Sequence, residues 1–305
     1  MSIQIVGPEI EPRLSWDALT AALEEGHRRP RALIGDTLLK QGQSSLLSRS
    51  AWIPGMGIAV KSATVYPGNS AAGLPSVNGA VTLFAEQTGE LEALLDFRLV
   101  TKWKTAGDSL LAAKKLARPD SRVILLVGAG SVARSMVEAY GAAFPGAQFI
   151  VWNRTAEGAR KFAAEVPFMT ITHDLAGAAA QADIICTATM STEPLIKGEW
   201  LSPGTHLDLI GAYAPEMREV DDKALQRARL FVDARETTLH DIGELKIPIE
   251  RGVIADADII ADFYDLASGR FNRQSASEIT IAKNGGGAHL DLMTARYILS
   301  VAHGR

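Results

Sequence analysis

The sequence predicts an α/β protein in which a doubly wound parallel sheet is combined with an α+β domain that contains an antiparallel sheet. From about residue 122 to residue 234, apolar runs such as VILLV and DIICTAT alternate with segments of helical composition. This alternation is typical of parallel strands that helices cover on both faces. Upstream, short β-branched runs separated by Pro-Gly, Gly-Asn or Thr-Gly pairs indicate antiparallel strands. A length of 305 residues is consistent with two domains.

The first domain is expected to cover residues 1–117 and to be completed by residues 285–305. Apolar side chains at helical spacing predict a helix over residues 14–28. An antiparallel sheet is expected over residues 37–95, followed by a helix over residues 98–117 that a downstream proline terminates. The expected helix cap is Ser15, and the expected turns of the sheet are Pro54-Gly55, Pro67-Gly68 and Thr88-Gly89.

The second domain is expected over residues 118–284. Its strand-like runs are VILLV, QFIVWN, FMTIT, DIICTAT, HLDLIG and RLFVDA, and helical segments separate them. A last run, EITIAKN, leads into three glycines and an amphipathic helix over residues 288–301. That helix follows the parallel sheet in the chain and is expected to pack on the first domain.

Composition narrows the functional classes. The net charge of -4 argues against a broad nucleic-acid interface, which needs a strongly basic face. The start of the chain has no signal-peptide pattern, and no apolar run approaches the roughly 18 residues that span a bilayer. The single cysteine, Cys186, lies in an apolar run, where a buried thiol in a reducing compartment is expected. We therefore expect a cytoplasmic protein that binds neither nucleic acid nor membrane.

A glycine-rich hexapeptide follows the first apolar strand of the second domain and opens a helix. It consists of Gly128, Ala129, Gly130, Ser131, Val132 and Ala133. In the G-x-G-x-x-G/A pattern, Gly128 permits the tight turn, Gly130 lets the backbone approach a pyrophosphate, and Ala133 leaves room for helix against strand. The motif in this context predicts a Rossmann dinucleotide-binding domain and, with it, a nicotinamide-dependent oxidoreductase.

The residues after the second strand of this domain suggest which dinucleotide binds. They are Asn153, Arg154 and Thr155. An enzyme that uses NAD usually carries an acid here for the ribose hydroxyl, whereas Arg154 could pair with a 2′-phosphate. We expect NADPH, with NADH also possible, unless Arg154 only covers a solvated loop. After the fourth strand, three residues at the sheet edge are expected near the nicotinamide ribose: Thr187, Ala188 and Thr189.

The first domain contributes cations beside small residues, namely Arg31, Lys61 and Lys104. Strand alternation places Lys61 on the apolar face of Ala59 and Ala63, where a lysine needs an anion unless it extends to a sheet edge. His289 beside the glycines is a candidate for the ligand pocket, or alternatively a helix-start histidine bonded to backbone. Two His-x-Asp pairs, at residues 206–208 and 289–291, lack further ligands, so no metal site is expected.

Five ordered segments resemble the ornithine cyclodeaminase/μ-crystallin family over most of the chain. They contain AVKSATVYPGNSAAGLPSVNGAVTLFAEQTGELEALLD, LVTKWKTAGDSLLAA, VGAGSVA, IGAYAPEMREVDD and KNGGGAHLDLMTA. The resemblance implies a homodimer whose first-domain sheet, completed by the C-terminal helix, forms the subunit contact and the substrate wall. It also implies that Arg31, Lys61 and Lys104 hold a substrate carboxylate.

Two departures from the family pattern refine the expected activity. Lys104 stands where an arginine is usual, and Tyr213 stands where the cyclodeaminases have an essential aspartate. Without that aspartate, hydride transfer to a preformed imine is favoured over deamination, and Tyr213 could still donate a hydrogen bond. Lys61 and Tyr213 are therefore the candidate catalytic residues.

Within the family, TKWKTAGDS and GGGAHLDLMTA are most similar to members that reduce Δ1-pyrroline-2-carboxylate to proline. The resemblance thus implies an NAD(P)H-dependent reductase of cyclic imino acids, yielding L-proline and, from the six-membered Δ1-piperideine-2-carboxylate, L-pipecolate. Two alternatives remain open. One is an ornithine cyclodeaminase or amino-acid dehydrogenase, and the other is an NADPH-dependent ligand-binding protein like μ-crystallin.

Overall fold

A computed structural model describes residues 3–166 and 168–304, which form two compact units. One unit contains the chain up to Lys104 and again from Gly287 onward, and the other contains Thr105–Gly286. The division between Lys104 and Thr105 falls inside a long helix, Phe97–Leu116. Periodicity cannot reveal such a division, because the helical pattern continues through it.

In the described part of the first unit, six strands form one sheet. They are β1 (Gln4–Val6), β2 (Leu33–Gln41), β3 (Ser44–Ile53), β4 (Gly57–Val65), β5 (Val77–Phe84) and β6 (Leu91–Asp96). The spatial order is β1-β6-β5-β4-β3-β2, with antiparallel pairs from β2 through β6, as predicted. Strand β1 pairs in parallel with β6 and was not predicted, because three residues show no measurable alternation.

The predicted turns of this sheet are correct at two of three places. Gly55 and Gly89 take φ values of 79° and 71°, a region that favours glycine, and they join β3 to β4 and β5 to β6. The expected Pro67-Gly68 turn is wrong in form, since these residues begin a 3₁₀ helix over Pro67–Ala72. A further hairpin, at Gly42 with φ 60°, was not predicted.

Two helices complete the first unit, and a third crosses its boundary. Helix α1 (Trp16–Gly26) begins after the predicted cap Ser15, whose hydroxyl accepts a hydrogen bond from the Ala18 amide. Helix α9 (Ala288–Ala302) packs against α1, β3 and β4, so the expected packing on the first domain is confirmed. Helix α2 (Phe97–Leu116) runs from the first unit into the second.

In the described part of the second unit, eight strands form a parallel sheet, as predicted. They are β7 (Val123–Val127), β8 (Gln148–Trp152), β9 (Thr170–Ile171), β10 (Ile184–Thr187), β11 (His206–Leu209), β12 (Ala228–Val232), β13 (Ile259–Ala261) and β14 (Ile279–Lys283). The spatial order is β13-β12-β14-β11-β10-β7-β8-β9. The predicted FMTIT strand is mostly irregular, with only Thr170 and Ile171 paired in β9.

Six helices lie wholly in the second unit as described. They are α3 (Ser131–Ala143), α4 (Ala156–Glu165), α5 (Leu175–Gln181), α6 (Asp222–Arg227), α7 (Arg235–Thr238) and α8 (Gly243–Glu250). The sequence interpretation missed α7, α8 and β13, which are short. The strand order reverses at β7, which pairs with β8 on one side and β10 on the other. The carboxyl ends of β7 and β10 therefore form the switch point where such sheets bind ligands.

Candidate active site

The glycine fingerprint has the geometry that a dinucleotide site requires. Gly128 has a φ of 111°, and a Cβ there would lie 2.6 Å from the Ala188 carbonyl oxygen, so only glycine fits. A Cβ on Gly130 would meet no atom within 4 Å, so its open side is accessible to a ligand. Gly130 is also the N-cap of α3 and has no side chain with which to cap it. The first amides of α3 are suited to an anion.

The three residues after β8 divide into a structural pair and an exposed cation. The Asn153 amide nitrogen donates to the Thr155 carbonyl and hydroxyl oxygens, at 3.0 Å each. Thr155 is the N-cap of α4, and its hydroxyl accepts a hydrogen bond from the Gly158 amide. Arg154 between them is exposed. Asn153 and Thr155 thus shape the turn, while Arg154 presents its charge to solvent.

The predicted residues at the end of β10 and just after it are hydrogen-bonded to a buried acid that the sequence analysis did not identify. Thr187 is fully buried, and its hydroxyl donates to Glu219 at 2.8 Å. The Thr189 hydroxyl and backbone amide also donate to Glu219, at 2.7 Å and 2.8 Å. Glu219 lies in the IGAYAPEMREVDD segment, so that segment contained the signal, although nothing in its pattern separates this acid from its neighbours.

Two further buried charges lie close to Glu219. Lys283 at the end of β14 is fully buried, and its ammonium donates to the carbonyl oxygens of Leu209, Ala212 and Asn284 at 2.8–2.9 Å. Burial lowers the pKa of Lys283, and the nearby carboxylates oppose that shift. Burial, with Glu219 nearby, raises the pKa of the Glu244 carboxyl to about 7. These charges form a buried network at the carboxyl edge of the sheet.

In the first unit, Lys61 occupies the face that strand alternation predicted. Lys61, Ala59 and Ala63 are all buried on β4. The anion that Lys61 needs is Asp291 of α9, whose Oδ1 lies 2.7 Å from the Lys61 ammonium. The ammonium also lies 5.6 Å from the centroid of the Phe97 ring. Asp291 belongs to the second of the two His-x-Asp pairs, and no pattern in the sequence indicated it as the partner of Lys61.

The other predicted cations of this unit, Arg31 and Lys104, are near enough to His289 to influence its pKa. The His289 ring is fully buried and lies edge-on to the His27 ring, with centroids 5.3 Å apart. Burial lowers the pKa of His289 well below its usual range. Four nearby groups lower it further through their charge, namely His27, Lys104, Arg49 and Arg31. Lys104 is buried and Arg31 is exposed, and the role of Arg31, Lys104 and His289 in substrate binding remains a prediction.

Arg49 is a member of this cluster that the sequence analysis missed. It lies on β3, where its Cα is paired with that of Lys61 on β4 and with that of Asp36 on β2. Its guanidinium forms an ion pair with Asp36 at 2.9 Å. The alternation of β3 could have indicated that Arg49 and Lys61 are neighbours, but only a known register establishes it.

Tyr213 lies apart from regular structure, after β11, and is 64% exposed. Its hydroxyl lies 3.9 Å from the Met190 sulfur, which is a weak contact. Its role in proton transfer remains a prediction.

The two His-x-Asp pairs have partners within the protein. The His206 ring contacts the Thr280 hydroxyl at 3.0 Å, and Asp208 accepts a hydrogen bond from Asn284 at 2.7 Å. In residues 3–166 and 168–304, no cluster of three or more His, Cys, Asp or Glu side chains is arranged to hold a metal ion. The helices of the same residues include none that is long and apolar enough to cross a bilayer.

The chain is similar to known proteins over residues of both units. The model of the ornithine cyclodeaminase/mu-crystallin family matches residues 54–305. The chain belongs to this family. Among family relatives, the Delta(1)-pyrroline-2-carboxylate reductase of Paracoccus denitrificans is 50% identical over 299 residues, covering 96% of this chain and 94% of that protein.

Solved structures extend the similarity over the full family fold. The Thermococcus litoralis Delta(1)-pyrroline-2-carboxylate reductase, in complex with NADH and L-proline, has a TM-score of 0.88 at 26% identity. That similarity covers 99% of this chain and 98% of the other. An archaeal alanine dehydrogenase dimer with bound NAD has a TM-score of 0.88 at 29% identity, covering 100% of this chain and 97% of the other. The α/β fold with parallel and antiparallel sheets is thereby confirmed.

Proposed function

We propose that this protein is an NAD(P)H-dependent reductase of cyclic imino acids that converts Δ1-pyrroline-2-carboxylate to L-proline. The observation that carries the proposal is the 50% identity, across 96% of the chain, to a reductase of that substrate. The glycine fingerprint and the cations of the first unit, of which Lys61 and Lys104 are buried, support it independently, because a reductase of an anionic imine needs a dinucleotide site and a carboxylate site. The six-membered imine is proposed as a second substrate.

The residues of the two units have separate tasks in this reaction. Lys61, Lys104 and Arg31 hold the substrate carboxylate through charge-assisted hydrogen bonds. A dinucleotide held at the fingerprint of residues 128–133 would supply the hydride that C2 of the imine accepts. A protonated imine nitrogen becomes the amine of the product, so no strong protein acid is required. This explains how the reaction can proceed with Tyr213 in place of the aspartate found in cyclodeaminases.

We further propose that NADPH is preferred and that NADH is also used. Arg154 supports this preference, because it is an exposed guanidinium after β8, where the ribose of the adenosine half is bound in Rossmann domains. The related structures contain NADH or NAD, which supports the use of NADH as well.

A homodimer is also proposed. Strand β2 lies at one edge of the sheet of the first unit and is exposed along its length. Its Leu33, Leu38 and Leu39 are 70%, 52% and 60% exposed, and Trp52, paired with Leu33 on β3, is 45% exposed. An exposed apolar edge of this length invites pairing with another chain. The related alanine dehydrogenase is a dimer, which supports a second copy as the occupant.

One assay tests the proposed reaction. The purified protein is supplied with NADPH or NADH and each cyclic imine, and oxidation of the dinucleotide is followed by absorbance. Ornithine with NAD is tested in parallel. Rapid, imine-dependent oxidation is expected, with proline as the product. Efficient ornithine deamination would instead identify a cyclodeaminase, and dinucleotide binding without turnover of any imine would favour a ligand-binding protein.

A further inference from the structure

We propose that Glu219 is a positioning residue that fixes the two loops on which the nicotinamide half of the dinucleotide binds. The inference rests on the proposed function, but it requires only that the protein binds a dinucleotide and not that it reduces an imine. One loop is residues 187–189, which begins with the last residue of β10, and the other is residues 211–212, after β11. Both lie at the carboxyl ends of neighbouring parallel strands, at the ligand-binding edge of the sheet.

The Glu219 carboxylate joins the two loops directly. It is fully buried, and it accepts five hydrogen bonds. Oε1 accepts the amide and hydroxyl of Thr189, while Oε2 accepts the Thr187 hydroxyl. Oε2 also accepts the amides of Gly211 and Ala212, at 2.8 Å and 3.2 Å. Only an ionised carboxylate offers two oxygens that can accept from this many donors.

Lys283 holds the loop of residues 211–212 through a backbone carbonyl oxygen. Ala212 donates its amide to Glu219 and accepts a hydrogen bond from the Lys283 ammonium on its carbonyl oxygen, at 2.8 Å. The Glu219 carboxylate thus holds the peptide group before the Ala212 Cα, and the Lys283 ammonium holds the peptide group after it. All three residues are buried. Such charge-assisted bonds are about twice as strong as neutral ones, so small displacements of the loop are opposed from both sides.

The two loops held by Glu219 pack closely on each other and on the glycine fingerprint. A Cβ on Gly211 would lie 2.2 Å from the Thr189 nitrogen, and a Cβ on Gly128 would lie 2.6 Å from the Ala188 carbonyl oxygen. The loop of residues 187–189 is therefore in close contact with the other loop and with the turn that begins the dinucleotide site. Displacement of this loop would therefore disturb the second loop and the Gly128 turn together.

The backbone of Glu219 is itself held in place by hydrogen bonds to other residues. Its amide donates to Glu244 Oε2 at 2.7 Å, and the Val220 amide donates to the other oxygen of Glu244. The Glu219 carbonyl oxygen accepts from the amides of Leu195 and Ile196. These contacts anchor the main chain, so that the side chain can transmit its position to the loops.

The test compares Glu219→Gln with Glu216→Gln, a matched change at an exposed glutamate three residues earlier. A glutamine at 219 places an amide donor among donors, so at least two of the five hydrogen bonds are lost. Calorimetric titration measures Kd for NADPH and NADH, and for adenosine 2′,5′-bisphosphate and AMP, which are their adenylate fragments. For Glu219→Gln, we expect the dinucleotide Kd to rise tenfold or more and the fragment Kd to change less than about twofold. Glu216→Gln is expected to resemble wild type.

The fragment distinguishes positioning from general damage. Equal weakening of dinucleotide and fragment, or no weakening of either, would overturn the inference. If Glu219→Gln does not fold, Thr187→Val decides, because it removes one donor to Glu219 from a fully buried, similarly shaped side chain. A smaller loss confined to the dinucleotide is expected there. Wild-type protein that binds dinucleotide but leaves imines unreduced would overturn the proposed reaction and leave this inference standing.

Discussion

The Lys61 ammonium lies 2.7 Å from Asp291 Oδ1, which links the middle of β4 to the first turn of α9 within the first unit. The two side chains are only 8% and 1% exposed. Because the pair is desolvated, removing one partner leaves the other charge buried, which typically costs about 3–5 kcal/mol. A substrate carboxylate at Lys61 would therefore meet an ammonium whose position is already set by α9.

Replacement of the lysine should separate substrate binding from dinucleotide binding. For Lys61→Met, we expect kcat/KM for Δ1-pyrroline-2-carboxylate to fall about tenfold or more, since one charge-assisted contact contributes about 1.5 to 3 kcal/mol. The Kd for NADPH should change less than about twofold, because Lys61 belongs to the first unit and the fingerprint to the second. Steady-state kinetics and calorimetry measure both quantities. A Lys61→Met variant as active as wild type would refute the proposed role.

The double variant Lys61→Met/Asp291→Leu shows whether lost stability explains lost activity. It removes both charges, so the free energy of unfolding should recover by more than about 1 kcal/mol relative to Lys61→Met. Catalytic efficiency should nevertheless remain low. Denaturant titration and kinetics on the same preparations measure this. If activity recovered together with stability, Lys61 would be structural and not a substrate contact.

Dinucleotide preference should depend on Arg154. In Arg154→Asp, the ratio of kcat/KM for NADPH over NADH is expected to fall by about 10- to 100-fold, because a guanidinium–phosphate contact becomes a repulsion. Arg160→Asp, at an exposed position on α4, is the matched control and should keep the wild-type ratio. An unchanged ratio in Arg154→Asp would show that other groups select the dinucleotide.

The exposed edge of β2 should hold two copies together. Light scattering is expected to give twice the chain mass of 32.6 kDa at micromolar concentration. Leu39→Glu places a charge in this edge and should shift the protein toward the monomer, since burying an unpaired carboxylate is costly. Phe168→Glu, at a 64% exposed apolar residue of the second unit, should leave the dimer intact. A wild-type monomer would contradict the shared-edge proposal.

Stability should decrease in acid partly through His206. Burial, with Arg273 nearby, lowers the pKa of His206 to about 3, from about 6.5 in the unfolded chain. The unfolded state therefore binds more protons below pH 6.5, and stability falls as pH falls toward 3. At pH 5 the free energy of unfolding is lower by about 2 kcal/mol because of this pKa difference. The variant His206→Leu should lose that much less stability than wild type between pH 7 and pH 5. If the free energy of unfolding changed by the same amount between pH 7 and pH 5 in wild type and in His206→Leu, this prediction would be wrong.

Several features followed from the residue pattern alone, because they depend on neighbours in the chain. The fingerprint at Gly128–Ala133 specifies a turn and a helix start, which are local events, and both are present. Alternation placed Lys61 on the buried face of β4 for the same reason, since successive side chains of a strand point to opposite faces. Short elements such as β1 and β13 were not predicted, because three residues show no period.

The sequence by itself thus determined the fold class, the dinucleotide fingerprint and the buried position of Lys61. Only the tertiary structure decided what the buried charges contact. Asp291 is 230 positions from Lys61, and Glu219 reaches Thr187 across 32 positions. Such pairs depend on strand register and helix packing, and no periodicity in the chain encodes which of many acids will be the partner. The physical reason is that a buried charge is tolerated wherever folding brings a counter-ion or donors to it, regardless of separation in sequence.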